Sequence, residues 1–137
     1  VAVDGKGPNA VTGYACAVWE GRKSAIISGG IDANGNAVAD IFLLSVGPPS
    51  ARAKGYWKAL AEWPSSIFQG DAFCERSHHS MTHRPRSSAF WIFGGRGSDG
   101  ELLNDLHVFD LDEEQWSQPQ SLNELPPPRE HHSACFV

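Results

Sequence analysis

The chain has 137 residues, of which 41% are hydrophobic and 20% are charged, and its formal net charge is −5 at pH 7. This composition is ordinary for a globular protein that buries a hydrophobic core, and the acidic balance argues against non-specific binding to nucleic acid or to an anionic membrane surface. No apolar run approaches the roughly 18 residues that a transmembrane helix needs.

Residues 1–12 lack hydrophobic periodicity and are predicted to form an N-terminal arm. Short runs rich in β-branched and aromatic residues follow, separated by turn residues, which is typical of antiparallel strands. In the first unit, residues 13–77, we predict strands at 14–19, 25–28, 40–46 and 56–60, with Trp57 anchoring the fourth. The connection 47–55 contains Pro48 and Pro49 and is predicted to be a loop insertion.

The second unit, residues 78–130, predicts strands at 78–81, 90–93, 106–110 and 115–117, with Trp116 as its anchor. Residues 62–77 give the weakest pattern, since Trp63-Pro64 disfavours a helix there, and 65–68 are predicted to form an irregular crossing segment. Residues 118–129 are rich in proline and predict a loop. Residues 131–137 are predicted to be the first strand of an incomplete third unit.

The two units are copies of one pattern, because several glycines and an aspartate recur at a constant spacing of 65 residues. A repeat of this kind takes precedence over local features in predicting a fold. The shorter spacing of 53 between His79 and His132 follows from two six-residue insertions in the first unit. The matched positions are Gly29 with Gly94, Gly30 with Gly95, Gly35 with Gly100, and Asp40 with Asp105. The glycine pairs are predicted to turn each unit back on itself.

This pattern resembles the kelch repeat of β-propellers over about residues 13–137. The marks are Gly94-Gly95, Asn104-Asp105, Trp116 and the Pro-Arg-x-x-His-Ser stretch at 128–133. The first unit departs from the pattern, with Tyr14 in place of the strand-starting His and Ala39 in place of the Asn. The resemblance implies an all-β fold, a partial kelch-type β-propeller of four-stranded antiparallel blades.

A propeller typically closes with four to eight blades, so two blades and one further strand predict a fragment of a larger protein. Apolar runs such as 41–44 fit strands that are covered on both faces by neighbouring blades. Because an uncovered strand edge promotes association, we also expect self-association through open blade edges.

Three histidines lie close together in the sequence: His78, His79 and His83. Such a cluster is a candidate for metal binding. His79 and His83 would share one face of a strand, and Cys74 could supply a third zinc ligand. The favoured interpretation is structural: His79 occupies the strand-start position of the repeat, as His132 does. We therefore predict no metal site and no cofactor.

Catalytic arrangements are not predicted either. Ser80 follows a histidine, but adjacent side chains of a strand point to opposite faces, and no nucleophile elbow is present. The acidic run 112–114 is predicted to be a solvated turn. The three cysteines, Cys16, Cys74 and Cys135, form no CxxC pair, which favours free thiols and a cytoplasmic location.

Function on a propeller is expected in the loops that its rigid sheets hold in place. The resemblance implies that the residue after the double glycine, Arg96, can contact an acidic peptide, with Ser98 two residues on. It also implies ligand-facing positions just before strand one, here His78 and His131. An Arg96 that merely faces solvent is the alternative interpretation.

The sequence thus predicts a non-enzymatic protein–protein interaction module with a protein or peptide partner and no role for nucleic acid or membrane. The alternative is that the chain is the propeller portion of an enzyme, either linked to a methyltransferase or similar to galactose oxidase, whose catalytic part lies outside these residues.

Overall fold

A computed structural model of the chain describes residues 3–47, 55–60, 75–120 and 124–137. Within these ranges the regular structure consists of short strands and one turn of 3-10 helix at Glu20–Arg22. The predicted crossing segment at 65–68 and Cys74 lie outside the described residues. The strands are β1 (Val3–Asp4), β2 (Ala15–Trp19), β3 (Ser24–Ser28), β4 (Ile41–Val46), β5 (Gly55–Ala59), β6 (Arg76–Ser77), β7 (Ser80–His83), β8 (Ala89–Gly97), β9 (Leu102–Asp110) and β10 (Gln115–Ser117).

The first unit forms one sheet in the order β1-β5-β4-β3-β2. Strands β2 to β5 are antiparallel to their neighbours, so the all-β prediction of a four-stranded antiparallel blade is confirmed. The N-terminal arm adds a fifth strand, because Val3 and Asp4 pair in parallel with Gly55 and Tyr56. The arm therefore covers part of the outer edge of this blade.

The second unit forms a sheet in which β7, β8, β9 and β10 are successive antiparallel neighbours. The predicted first strand at 78–81 is wrong by two residues, since the strand is Ser80–His83. Arg76 and Ser77 form a separate strand that pairs with the far end of β8. His78 lies between the two with φ of 54°, a left-handed conformation that interrupts the strand.

The glycine pairs do not turn the chain, contrary to the prediction. Gly94 and Gly95 lie inside β8, where the pairing with β9 shifts between Phe93 and Gly95. The turn itself comes later, where the Gly100 N–H donates to the Gly97 carbonyl at 3.0 Å. A Cβ on Gly94 would lie 2.8 Å from the carbonyl oxygen of Arg129. The glycine pair therefore makes room for the backbone at Arg129, in the segment that leads out of the second unit.

The hydrophobic core lies between the two sheets. Its fully buried side chains come from central strands of both units: Ile26, Ile41, Phe90, Ile92 and Phe109. Trp19 of β2 reaches across to the second sheet, with ring centroids 5.8 Å from His83 and 5.9 Å from Phe90. Each buried side chain of this size contributes roughly 1.5–3 kcal/mol, so face-to-face packing of the sheets is the main stabilising interaction.

The two tryptophan anchors lie in the outer strands as predicted. Trp57 of β5 packs edge-on against Phe42, with centroids 6.3 Å apart. Trp116 of β10 packs against Phe109 at 4.7 Å. Each ring thus ties the fourth strand of its unit to the third.

The repeated aspartates differ between the units. Asp105 accepts two hydrogen bonds from the buried guanidinium of Arg76, at 2.8 and 2.7 Å, and lies 2.7 Å from Nε2 of His107. Burial raises the pKa of Asp105, but the hydrogen bonds from Arg76 and His107 outweigh burial and hold that pKa well below its usual range. The first unit has Val11 at the position that corresponds to Arg76, and Asp40 is exposed.

Residues 132–137 have no strand partner among the described residues, so the predicted first strand of a third blade stays a prediction. The segment packs on the second sheet, with ring centroids of His132 and Phe93 5.4 Å apart and those of Phe136 and Trp91 5.8 Å apart. It therefore lies on the face of the second sheet that is turned away from the first.

Candidate functional site

One position recurs at the start of each unit and organises the rim of the molecule. Gly13, His78 and His131 all have left-handed φ values, of 65°, 54° and 54°. The His78 N–H donates to the Gly13 carbonyl at 2.7 Å, and the His131 N–H donates to the His78 carbonyl at 3.0 Å. A line of backbone hydrogen bonds thus fixes the three positions side by side.

The side chains at these positions stack in the same order. A Cβ on Gly13 would lie 2.7 Å from Nε2 of His78, so the His78 ring occupies the space that glycine leaves open. The His131 ring lies against the His78 ring, with centroids 4.0 Å apart and planes inclined by 32°. His131 is the outermost member, and its side chain is 64% exposed.

Arg96 projects from β8 to the same place and pairs with Glu130. Its Nε and Nη2 donate to the two carboxylate oxygens at 3.0 and 2.5 Å, and its Nη1 donates to the Gly100 carbonyl. This is the two-pronged geometry in which arginine recognises a carboxylate. The hydrogen bonds between the partners lower the pKa of Glu130 and raise that of Arg96, which keeps both charged.

The two histidines face the same carboxylate. Oε2 of Glu130 lies 3.9 Å from Nδ1 of His78 and 3.8 Å from Nδ1 of His131. We call Arg96, Glu130, His78 and His131 the rim cluster. It brings one carboxylate together with one guanidinium and two imidazoles at a surface where the arginine side chain remains 41% exposed.

The structure brings three of the four predicted partner-binding residues together and leaves the fourth apart. Ser98 lies exposed in the turn after β8, and no hydrogen bond joins its side chain to the rim cluster within the described ranges. Arg96 does not merely face solvent, since it is paired. Glu130 was missed because it fell on an unspecified position of the Pro-Arg-x-x-His-Ser stretch; an acidic residue beside predicted basic ones was the available signal.

The corresponding position in the first unit has the same backbone and different chemistry. Ile31 replaces Arg96, and its N–H and carbonyl pair with Thr12 at 2.8 and 3.0 Å, just as Arg96 pairs with Ser77 in register. The ion pair is therefore a feature of the second unit, mounted on a backbone arrangement that both units share.

Apart from the rim cluster, a concavity of about 960 Å³ lies between the turn that joins β2 to β3 and the turn that joins β7 to β8. An ion pair between Arg22 and Asp112, at 2.9 Å, crosses from one unit to the other beside it. His83 lines this concavity, and its Nε2 lies 2.8 Å from the Ser87 carbonyl oxygen.

His79 has the structural role that was predicted for it. Its Nε2 lies 2.8 Å from Oγ of Ser28, across the boundary between the units. Burial and the nearby Arg76 lower the pKa of His79 to about 3, so the ring is neutral at physiological pH. No group of three His, Cys, Asp or Glu side chains that could hold a metal ion occurs in the described parts of the chain.

Comparison with known proteins identifies the repeat. The family model described as the KLHDC2/KLHL20/DRC7 Kelch-repeats domain matches residues 56–137. The chain belongs to this kelch-repeat family. A solved structure, described as the structure of YjhT, superimposes on 97% of the chain with a TM-score of 0.62 at 19% sequence identity, and 33% of that structure is covered. This likeness supports the propeller fold.

Two curated relatives show the same partial coverage. Dynein regulatory complex subunit 7 of Chlamydomonas reinhardtii is 29% identical over 83 residues, and the leucine-zipper-like transcriptional regulator 1 homolog of Drosophila melanogaster is 38% identical over 86 residues. Each match covers 59% of this chain and only 7% or 8% of the relative. The kelch chain thus spans less than a tenth of these relatives. Its described residues include no helix with the length and apolar character needed to cross a membrane.

Proposed function

We propose that this kelch chain is a non-enzymatic protein-interaction module, part of a larger kelch-repeat protein, that binds a protein or peptide partner through its loop rim. Membership of the kelch family supports the interaction role, and the rim cluster supports the location. The acidic net charge of −5 fits a partner other than nucleic acid or membrane. We propose a cytoplasmic site of action and no cofactor.

The observation that carries the proposal is the convergence at the rim. Arg96 comes from the end of β8, His78 from the break between β6 and β7, and His131 from the segment that follows the second unit. Three separate segments are held in register by backbone hydrogen bonds and present polar side chains to solvent together. Rigid sheets that display polar groups on loops are how such folds recognise partners.

The enzyme alternative has less support. A copper site similar to that of galactose oxidase needs tyrosine and histidine side chains that converge. Tyr14 precedes β2 and Tyr56 lies in β5, so the two stand at opposite sides of the four-stranded blade. Any methyltransferase activity would belong to residues outside this chain.

The test is to select peptides from a displayed library against the wild-type chain and to compare their binding to Arg96→Ala. We expect Arg96→Ala to lower the affinity for the selected peptides by at least about tenfold, which is the contribution of one charge-assisted hydrogen bond. Arg84→Ala is the matched control, since Arg84 is an exposed arginine just after β7 and should have no effect. Selected peptides that bind both variants and wild type equally would contradict a binding site at this rim.

A further inference from the structure

We propose that Glu130 is an internal competitor at the rim cluster: an acidic peptide segment binds Arg96 by displacing the Glu130 carboxylate. This inference rests on the proposed function and names the chemistry of the partner. The rim cluster already holds one carboxylate, that of Glu130, by two parallel hydrogen bonds from Arg96. The carboxylate of a partner can be bound in the same way.

The arginine would keep its position when Glu130 leaves. Its Nη1 is held separately by the Gly100 carbonyl, at the turn between β8 and β9, and its backbone is paired with Ser77 on one side and Leu102 on the other. The guanidinium is thus fixed by contacts that do not involve Glu130. A site that needs no rearrangement of its main binding group loses less free energy when a ligand binds.

The competing carboxylate is free to leave. The Arg96–Glu130 pair is partly open to solvent, with side-chain exposures of 41% and 21%, and solvent-exposed ion pairs contribute little to stability. Glu130 lies in a segment without strand pairing at 124–137, so movement of its side chain breaks no sheet. The nearest other groups that face its carboxylate are the rings of His78 and His131.

Internal competition also defines which ligands succeed. A tethered carboxylate competes as though present at roughly millimolar concentration, so a partner with a single weakly held carboxylate would not displace it. A segment with several neighbouring carboxylates can replace Glu130 at Arg96 and also reach the exposed imidazole of His131. The partner chemistry that fits the cluster is therefore a run of acidic residues.

The experiment measures binding of a fluorescein-labelled tetraglutamate peptide by fluorescence anisotropy at pH 7 and low salt. We expect Glu130→Gln to bind about fivefold more tightly than wild type, because the glutamine keeps the shape and removes the competing charge of an exposed ion pair. The double variant Arg96→Ala/Glu130→Gln should lose that gain. Asp112→Asn is the matched control, since it breaks the ion pair with Arg22, makes the same change in net charge, and should leave Kd within about twofold of wild type.

Equal affinity of wild type and Glu130→Gln, or no measurable binding to either, would overturn the inference. Retained tight binding by the double variant would overturn it as well, since the gain would not depend on Arg96. Far-UV circular dichroism of each variant, with Glu130→Ala as a second substitution, excludes loss of fold as the cause. If library peptides depend on Arg96 while Glu130→Gln gains nothing, the inference fails alone; if nothing depends on Arg96, the proposed function fails with it.

Discussion

At the scale of single residues, the burial of His79 makes the stability of the fold depend on pH. The ring is buried between the units, against Ser28 and the backbone of Gly29. Its pKa of about 3 in the folded chain lies far below the usual value of about 6.5 in an unfolded chain. Between these two values the unfolded chain binds a proton at this residue and the folded chain does not, so acid favours unfolding.

We therefore expect the free energy of unfolding to fall as the pH drops below about 6.5, with His79 contributing up to about 1.4 kcal/mol per pH unit. Urea unfolding monitored by tryptophan fluorescence between pH 7.5 and 5 measures this slope. His79→Gln should be less stable at pH 7.5, where it loses the contact with Ser28, and should show a shallower slope. The same substitution at the exposed His131 should keep the wild-type slope; an unchanged slope in His79→Gln would contradict the assignment.

The rim cluster shows which residues of the site can be predicted from the sequence and which cannot. Repeat phase placed His78 and His131 at equivalent positions, and the structure brings them together with Arg96. The repeat spacing could not predict a role for Glu130, because the corresponding residues of the other units are Thr12 and Ser77. A group that occurs in one unit alone has no repeat to reveal it. Its pairing with Arg96 depends on the path of 124–131 across the second unit, which the local pattern of prolines does not determine.

At the scale of elements, the glycine pair is the feature for which prediction and structure differ most. A double glycine between apolar runs was interpreted as a turn, yet Gly94 and Gly95 continue a strand through a bulge. Neighbouring segments, not the local sequence, decide this, because the backbone at Arg129 approaches the bulge closely. The Gly30 N–H donates to the Arg76 carbonyl and the Gly95 N–H to the Arg129 carbonyl, at 2.9 and 2.8 Å. The same contact thus joins each glycine pair to the segment that leads into the following unit.

A pair of glycine substitutions separates close approach from backbone strain. Gly29 and Gly35 both have positive φ, of 62° and 86°, so alanine is strained at either by about 1–2 kcal/mol. A Cβ on Gly29 would also collide with the Arg76 carbonyl oxygen and lie 2.8 Å from Cε1 of His79, whereas nothing lies within 4 Å of one on Gly35. We expect Gly29→Ala to lower the free energy of unfolding by at least about 1 kcal/mol more than Gly35→Ala. Equal losses in urea unfolding would mean that the units are not held at this contact.

Strand boundaries followed the sequence better in the first unit than in the second. Strands at 15–19, 24–28, 41–46 and 55–59 lie within a residue of the predicted ones, because turn residues bound each apolar run. In the second unit β8 and β9 extend past their apolar runs to Gly97 and back to Leu102. Those extensions pair with each other and with β6, and such long-range pairing is not written in the local pattern.

At the scale of the whole molecule, the two outer faces of the pair of sheets are complementary. Side chains alternate between the two faces of a sheet along each strand. A residue that faces outward in one unit can therefore be compared with the equivalent residue, 65 positions away, that packs between the sheets in the other unit. The first sheet leaves Val18 and Ile27 facing away from the second, and these correspond to His83 and Ile92, which pack between the sheets. The second sheet leaves Trp91 facing outward, and it corresponds to the buried Ile26.

Where residues 132–137 do not cover it, the outer face of the second sheet in one molecule therefore matches the outer face of the first sheet in another. Contact between them would repeat the packing that already joins the two units, and a heterologous contact of this kind can continue until a ring closes. The arm strand β1 covers part of the edge at β5, and we propose these faces for self-association in addition to the open blade edges that the sequence predicts. The occupant that this geometry favours is a second copy of the chain.

We expect the chain to associate at concentrations of tens of micromolar, and light scattering after size-exclusion chromatography measures the mass. Val18 is 59% exposed at the centre of β2, where a lysine would place a charge in the contact and desolvate it. Val18→Lys should therefore shift the population toward monomer. Leu102→Lys is the matched control, since Leu102 is 40% exposed but lies at the turn beside the rim, and it should leave the mass unchanged. A wild-type chain that stays monomeric at every concentration, or a Val18→Lys variant that associates as wild type does, would show that the open faces are covered by something other than a second copy.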